Sequence, residues 1–166
     1  MSYVDPIIQK YQSLIEAQTS VFKKFYQGQP TKIPASNLPC CIISKISTEV
    51  RPLNNAADEH AIGILLTVVT DVRQDLSTNI NEHDLVANLA TLYDIVEGRN
   101  AADYTLKTDS ILNILRTNIE VDTANNLRTD LSTVTRSDYD AVRDRDQEEW
   151  TTEANIAFVA HFTQNR

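Results

Sequence analysis

Apolar residues recur along this chain with two different periods. After Asp5-Pro6, the positions Ile7, Ile8, Tyr11, Leu14, Ile15, Phe22, Phe25 and Tyr26 form a stripe in steps of three and four. Asp is a good cap for free helical N–H groups, and Pro is preset for a first turn. Gly28 and then Pro30 are natural stops. The pattern therefore predicts a long N-terminal helix of about five to six turns. Prolines 30, 34 and 39 follow as a loop, and "CCIISKIS" (40–47) is a short apolar run suited to a buried strand. Residues 49–58, with Pro52, Asn54 and Asn55, predict a hairpin connection. In "EHAIGILLTVVTDV" (59–72) the period becomes two: Ile62, Ile64, Leu66 and Val68 face one way, and Ala61, Gly63, Leu65, Thr67 and Val69 the other. Both faces are largely apolar, which places this strand inside a sheet.

The helical period returns from roughly Asn81 to Glu97, with Leu85, Leu89, Leu92 and Val96 as the stripe and Gly98 as the stop. "TDSILNILRTN" predicts a shorter helix capped by Thr108 or Asp109, and Ile119–Val121 a short strand. Residues 122–149 are polar, almost without large apolar side chains, and charge-dense. After Trp150 the alternation is back: Ala154, Ile156, Phe158, Ala160 and Phe162 fall on every second position. The order of elements predicts an α+β fold. An antiparallel or mixed sheet is flanked by the long N-terminal helix and a second helix, with the C-terminal strand in the sheet.

Length adds that 166 residues suit one domain, here 1–166, with a polar excursion at about 122–149. No run approaches the length of a transmembrane helix, so no membrane association is expected. The N-terminus lacks the basic-then-apolar layout of a signal peptide, which predicts a chain made and used in a reducing cytosol. The adjacent Cys40 and Cys41 would point to opposite faces of a strand, which predicts two small buried hydrophobes and no disulfide between them.

Charge is uneven. Residues 1–70 hold six Lys/Arg against five Asp/Glu, and residues 71–166 hold nine against eighteen. An acidic chain is poorly suited to gripping nucleic acid by phosphate neutralisation, but suited to letting DNA slide past.

Candidate chemistry is sparse. His60, His83 and His161 stand at no ligand spacing from one another. Gly28, Gly63 and Gly98 are isolated, so no phosphate-cradling loop is present. "DYDAVRDRDQEE" has a passing likeness to a calcium loop: with Asp138 at position 1, Asp140, Asp144, Asp146 and Glu149 fall at 3, 7, 9 and 12. Arg143 occupies the position of the turn glycine, Val142 a ligand position, and Arg145 adds a cation, so no metal, cofactor or catalytic residue is assigned. What remains is a compact domain with one long polar stretch, which points to assembly. The residues best placed for interaction are Arg128, Arg136, Asp138, Asp140, Arg143, Asp144, Arg145, Asp146 and Trp150. Scattered Leu127, Leu131, Val134 and Val142 are too few to make a core, so deletion of 122–149 is expected to spare the fold.

The chain resembles the tail terminator proteins of long-tailed bacteriophages. The likeness is carried by "DPIIQKYQSLIEAQTSVFKKFYQG", "LPCCIISKIS", "HAIGILLTVVTDV", "DLVANLATLYDIVEG" and the closing "WTTEANIAFVAHF", over about residues 5–163. It is a pattern of elements without a catalytic signature. It implies a virion structural protein assembled in the host cytoplasm and located in the tail or neck. Such a protein forms a homo-oligomeric ring, typically a hexamer, on the tail tube protein. The ring stops tube polymerisation and offers a docking surface to a head-completion or connector protein, with DNA passing through its lumen. The final strand could then pair across subunits as well as within its own sheet. A head–tail connector or stopper of the same particles is the alternative, followed by a small metal- or ligand-dependent enzyme.

Overall fold

The computed structural model describes residues 5–71, 89–134, 137–144 and 150–165. Helix α1 spans Pro6–Gln18. Asp5 caps it, its Oδ1 accepting from the Ile7 and Ile8 backbone N–H groups at 3.0 and 3.4 Å. Ile8, Tyr11 and Ile15 form the buried face. The helix is shorter than its apolar stripe predicts. The stripe lapses after Ile15, where Gln18 and Thr19 stand at the next core-facing positions, and Thr19 is already extended. Phe25 and Tyr26, read as helical, instead lie in strand β1 (Lys24–Gln27). Gly28 ends that strand and not the helix: its φ is +82°, and its N–H donates to the Ile43 carbonyl at 3.0 Å.

Strand β2 spans Cys40–Asn54 and β3 spans Ala57–Asp71. Thus the stretch 49–58, expected to be a connection, is mostly strand, and the turn is confined to Asn55 and Ala56. Helices α2 (Ala90–Glu97) and α3 (Ile111–Thr117) follow. The sequence-based start of α2 near Asn81 lies outside the described residues, as do Leu85 and His83. Ser110 holds the N-cap position of α3, not Thr108 or Asp109. Short strands β4 (Glu120–Asp122) and β5 (Leu127–Thr129), then β6 (Asp138–Asp144) and β7 (Trp150–Asn165), complete the order.

The sheet is mixed, in the order β1-β2-β3-β7-β5-β4, with β6 also on β7. Only β1 on β2 is parallel. The C-terminal strand is therefore central. One edge of β7 pairs with β3 along its whole length, Asp71↔Thr151 to Ala57↔Asn165. The other edge is divided between β6 (Asp138↔Asn155 to Asp144↔Trp150) and β5 (Arg128↔His161 and Thr129↔Ala160).

The three helices cover one sheet face. Ile62, Ile64, Leu66 and Val68 of β3 and Ala154, Ile156, Phe158 and Ala160 of β7 are buried there with Ile8, Tyr11, Ile15, Leu92, Val96, Ile111, Ile114 and Leu115. Alternation in the sequence is thus realised as a single buried face. At one end of the opposite face Cys40, Ile42 and Val69 form a second cluster with Ile33 and Leu38 from the proline-rich loop. Both cysteines are free and buried, and burial pushes the Cys41 thiol pKa well up.

Asp5 also ties α1 to β2, since Lys45 Nζ donates to its Oδ2 at 2.7 Å. Burial alone raises the Asp5 pKa, but the bonds from Lys45, Ile7 and Ile8 outweigh it and hold the carboxyl below its ordinary 3.8. A carboxylate with a depressed folded pKa adds stability above its unfolded pKa, and that stability is lost as pH falls through the folded value. Asp5→Asn should therefore flatten the acid limb of the stability curve below about pH 4, and Asp5→Ala should cost about 1 kcal/mol at neutral pH. Chemical denaturation across pH checks both; identical acid limbs for wild type and Asp5→Asn would refute the first.

Candidate functional site

The least self-sufficient part of the molecule is the far end of the sheet. β2 is buried only over residues 40–44, and from Lys45 to Asn54 both of its faces are exposed. β3 and β7 continue beside it, in register as Val50↔His60↔Phe162, Arg51↔Glu59↔Thr163 and Pro52↔Asp58↔Gln164. The three strands form an arm that is exposed along β2 and reaches the start of α1 only on its β7 side. Its turn is held by Asn54, whose Oδ1 accepts from the Ala56 N–H at 2.7 Å.

A bulge between Lys45 and Ser47 sets the base of the arm. It puts Ile46 and Ser47 over Gly63, where a Cβ would lie 2.2 Å from Ser47 Oγ and 3.1 Å from Ile46 Cγ1. Gly63 and the bulge therefore belong together: the glycine makes room for the displaced residue.

Three large apolar side chains of the arm face solvent: Ile46 at 56%, Val50 at 51% and Leu53 at 53% exposure. β1 reaches only as far as Ile43, so among the described residues no strand pairs with the outer edge of β2 along the arm. That edge also carries Lys45, Glu49, Arg51 and Pro52, which discourage indiscriminate strand addition. Arg51 Nε donates to Glu49 Oε1 at 2.9 Å, and this bond raises the Arg51 pKa further.

On the opposite side of the arm, β7 has a second open edge. The β5 ladder ends at Arg128↔His161, with Leu127 standing beside Phe162, and among the described residues no strand pairs there with residues 163–165. In place of a strand is a groove of about 530 Å³, whose lining includes Pro6, Ile7, Leu127, Phe162, Lys10 and Asp122. Lys10 Nζ lies 2.9 Å from Asp122 Oδ2. Asn125 first, then Lys10, hold the Asp122 carboxyl below its ordinary pKa. The groove floor is apolar: Phe162 packs on the core cluster with Ile7, and its ring stacks on His60 at 4.5 Å.

The face of the arm turned away from the helices carries charge. His161 Nδ1 lies 3.7 Å from Glu59 Oε1, and its Nε2 lies 3.5 Å from Asp130 Oδ2. Arg128 Nη2 approaches Glu59 Oε1 at 3.8 Å. Asp130 also accepts from the Ser132 hydroxyl at 2.6 Å and from its N–H at 3.0 Å; these bonds, then His161, keep its carboxyl pKa low. The cluster joins β3, β5 and β7, with Arg128 and Glu59 as its ion pair and the His161 ring set between Glu59 and Asp130. Among the described residues, no nucleophilic side chain is hydrogen-bonded to His161.

The interaction residues expected from sequence fall in two places. Arg128 lies in this network. Asp138, Asp140, Arg143 and Asp144 lie along β6, opposite Asn155, Glu153, Thr151 and Trp150 of β7. Residues 138–144 run extended, not as the compact turn of a calcium loop. Arg136, Arg145 and Asp146 lie outside the described residues. The arm and groove residues Val50, Leu53, Glu59, Phe162 and Gln164 were not singled out. Residues 45–54 are exposed throughout and carry no apolar/polar alternation, so they gave no strand signal, and Pro52 with the two asparagines pointed to a turn instead.

No protein-family model and no curated protein matches the chain.

Proposed function

We propose that this chain is a structural assembly subunit of a long-tailed bacteriophage: a ring-forming tail terminator that caps the tail tube, stops its polymerisation and presents the neck surface on which the head docks. The observation that carries the assembly reading is the arm, which exposes Ile46, Val50 and Leu53 on a strand whose outer edge is paired there by no other described strand. A lone domain gains nothing from holding such side chains in water, whereas a subunit buries them against a neighbour. The order of helix, paired long strands, helices and closing strand supports the choice of tail terminator among assembly proteins. In this reading the partners are other copies of the chain in a ring, typically a hexamer, the tail tube protein below and a head-completion or connector protein above. The acidic excess of residues 71–166 suits a lumen through which DNA passes without sticking.

The test is solution mass together with tube assembly. Wild-type protein should form a ring and shorten tubes grown from purified tube protein. Val50→Asp combined with Leu53→Asp should abolish both while leaving the thermal melt in place, because both side chains are more than half exposed. A wild-type monomer that leaves tube length unchanged would overturn the proposal.

A further inference from the structure

The two open edges of the arm are level with each other. Across β2, β3 and β7 the register runs Val50↔His60↔Phe162 and Pro52↔Asp58↔Gln164, so residues 50–54 on one side stand at the height of residues 162–165 on the other. Both β2 and β7 are antiparallel to β3, and therefore run in the same direction. A second copy rotated about an axis along the strands, with no slide, brings its β2 edge beside the β7 edge of the first. The edges differ from each other, so the contact is heterologous, and a rotation that repeats it closes a ring.

We infer that residues 50–54 of one copy enter the groove at the end of β7 on the next copy and add there as a parallel strand. The inference rests on the ring reading above and names its contact. Side-chain chemistry favours this occupant. Val50 shares the helix-side face with Phe162, so the neighbour's Val50 meets the apolar floor made by Pro6, Ile7 and Phe162. Arg51 lies on the opposite face, where the groove continues into a recess lined by Glu59, Glu120 and Asp122, with Arg128 and His161 as the basic residues of its lining. Pro52 lacks an N–H and costs the new ladder one bond, which an edge strand tolerates. Pairing that needs Arg51 and Val50 on the correct faces is selective, which fits the charged residues that protect the same edge from other strands.

Cysteine pairing tests this in the full-length chain. Pro52 and Gln164 are both exposed and are separated within one chain by two strand spacings, about 10 Å. That exceeds the roughly 7 Å that a disulfide spans. Under mild oxidation, P52C mixed with Q164C should give a cross-linked pair, and the double variant P52C/Q164C a ladder of multimers with loss of the monomer band. Either single variant alone should stay monomeric on a non-reducing gel. Strong linking of P52C alone would mean like-to-like edges and would overturn the inference. A wild-type ring whose mixed variants do not link would also overturn it, while leaving the ring standing. A wild type that is monomeric at all concentrations and indifferent to tubes would remove the ring and this contact together.

Discussion

Leu66→Ala and Phe158→Ala should each lower the unfolding free energy by about 2–5 kcal/mol. Leu66 is fully buried in the central strand β3, and Phe158, at 2% exposure, lies two pairs further along on β7, on the same face. Their partners on the same face are Ile156 and Ile64. Each substitution removes several methylene or ring atoms from water-free packing and leaves a cavity that strands paired on both edges cannot easily close. Phe158→Ala should sit at the upper end, because the ring also packs against Tyr11, with centroids 5.1 Å apart. Urea denaturation with both variants and an exposed control, Leu53→Ala, gives the comparison. The control should change stability by less than about 0.5 kcal/mol. A core variant that melts with the control would contradict the packing described for this face.

How much of this was legible in the sequence depended on what held each element. β3 and β7 were clear because burial fixed their period locally: one face of each packs on the helices, and the alternation of Ile62–Val68 and Ala154–Phe162 records it. α1 was legible at its start, where Asp5 and Pro6 act within one turn, and misread at its end. Phe22, Phe25 and Tyr26 continue a helical stripe on paper. In the structure Phe22 and Phe25 still pack on the core, edge to face at 5.4 Å, but from a strand and the segment before it. An apolar residue can reach the same core from either conformation, so the stripe alone did not decide between them. Gly28 was recognised as a stop but assigned to the wrong element, because a positive φ ends strands as readily as helices. The extended half of β2 escaped notice for the opposite reason. Nothing among the described residues buries it, so no alternation of apolar and polar residues was imposed. If its partner is another copy of the chain, the missing pattern is distributed between Val50 and Leu53 on one edge and Ile7 and Phe162 on the other. The candidate site was for the same reason the least readable part: it consists of edges, and an edge is defined by topology.

Excision of residues 122–149 should abolish cooperative folding, contrary to what their polar composition suggests. β5 contributes three residues, too few for any periodic signal, yet Leu127 and Thr129 are buried there at 4% and 2% exposure. The Thr129 hydroxyl hydrogen-bonds the buried Tyr11 hydroxyl at 2.9 Å, joining α1 to the sheet. Val134, at 1% exposure, closes the same core, and its carbonyl accepts from Arg116 Nη1 of α3 at 2.8 Å. Tyr139 of β6 adds a bond to Glu97 Oε1 of α2 at 2.8 Å and an edge-to-face contact with Tyr93. The segment therefore links all three helices to β7 even though it holds few apolar residues. Its removal would uncover one edge of β7, leave the Tyr11 hydroxyl without its partner in the core, and expose the apolar surface under Leu127 and Val134. A stranded buried hydroxyl alone costs about 1–3 kcal/mol, and the lost side-chain burial adds about 1.5–3 kcal/mol for each large residue. The total is comparable to the whole stability of a domain this size, about 5–15 kcal/mol. Far-UV circular dichroism through a thermal ramp decides the matter. The deleted chain should show a shallow, non-cooperative melt, and Thr129→Val a cooperative one at lower temperature. A deleted chain that melts cooperatively at the wild-type midpoint would mean that β5 and β6 are appendages, and that the core is complete without them.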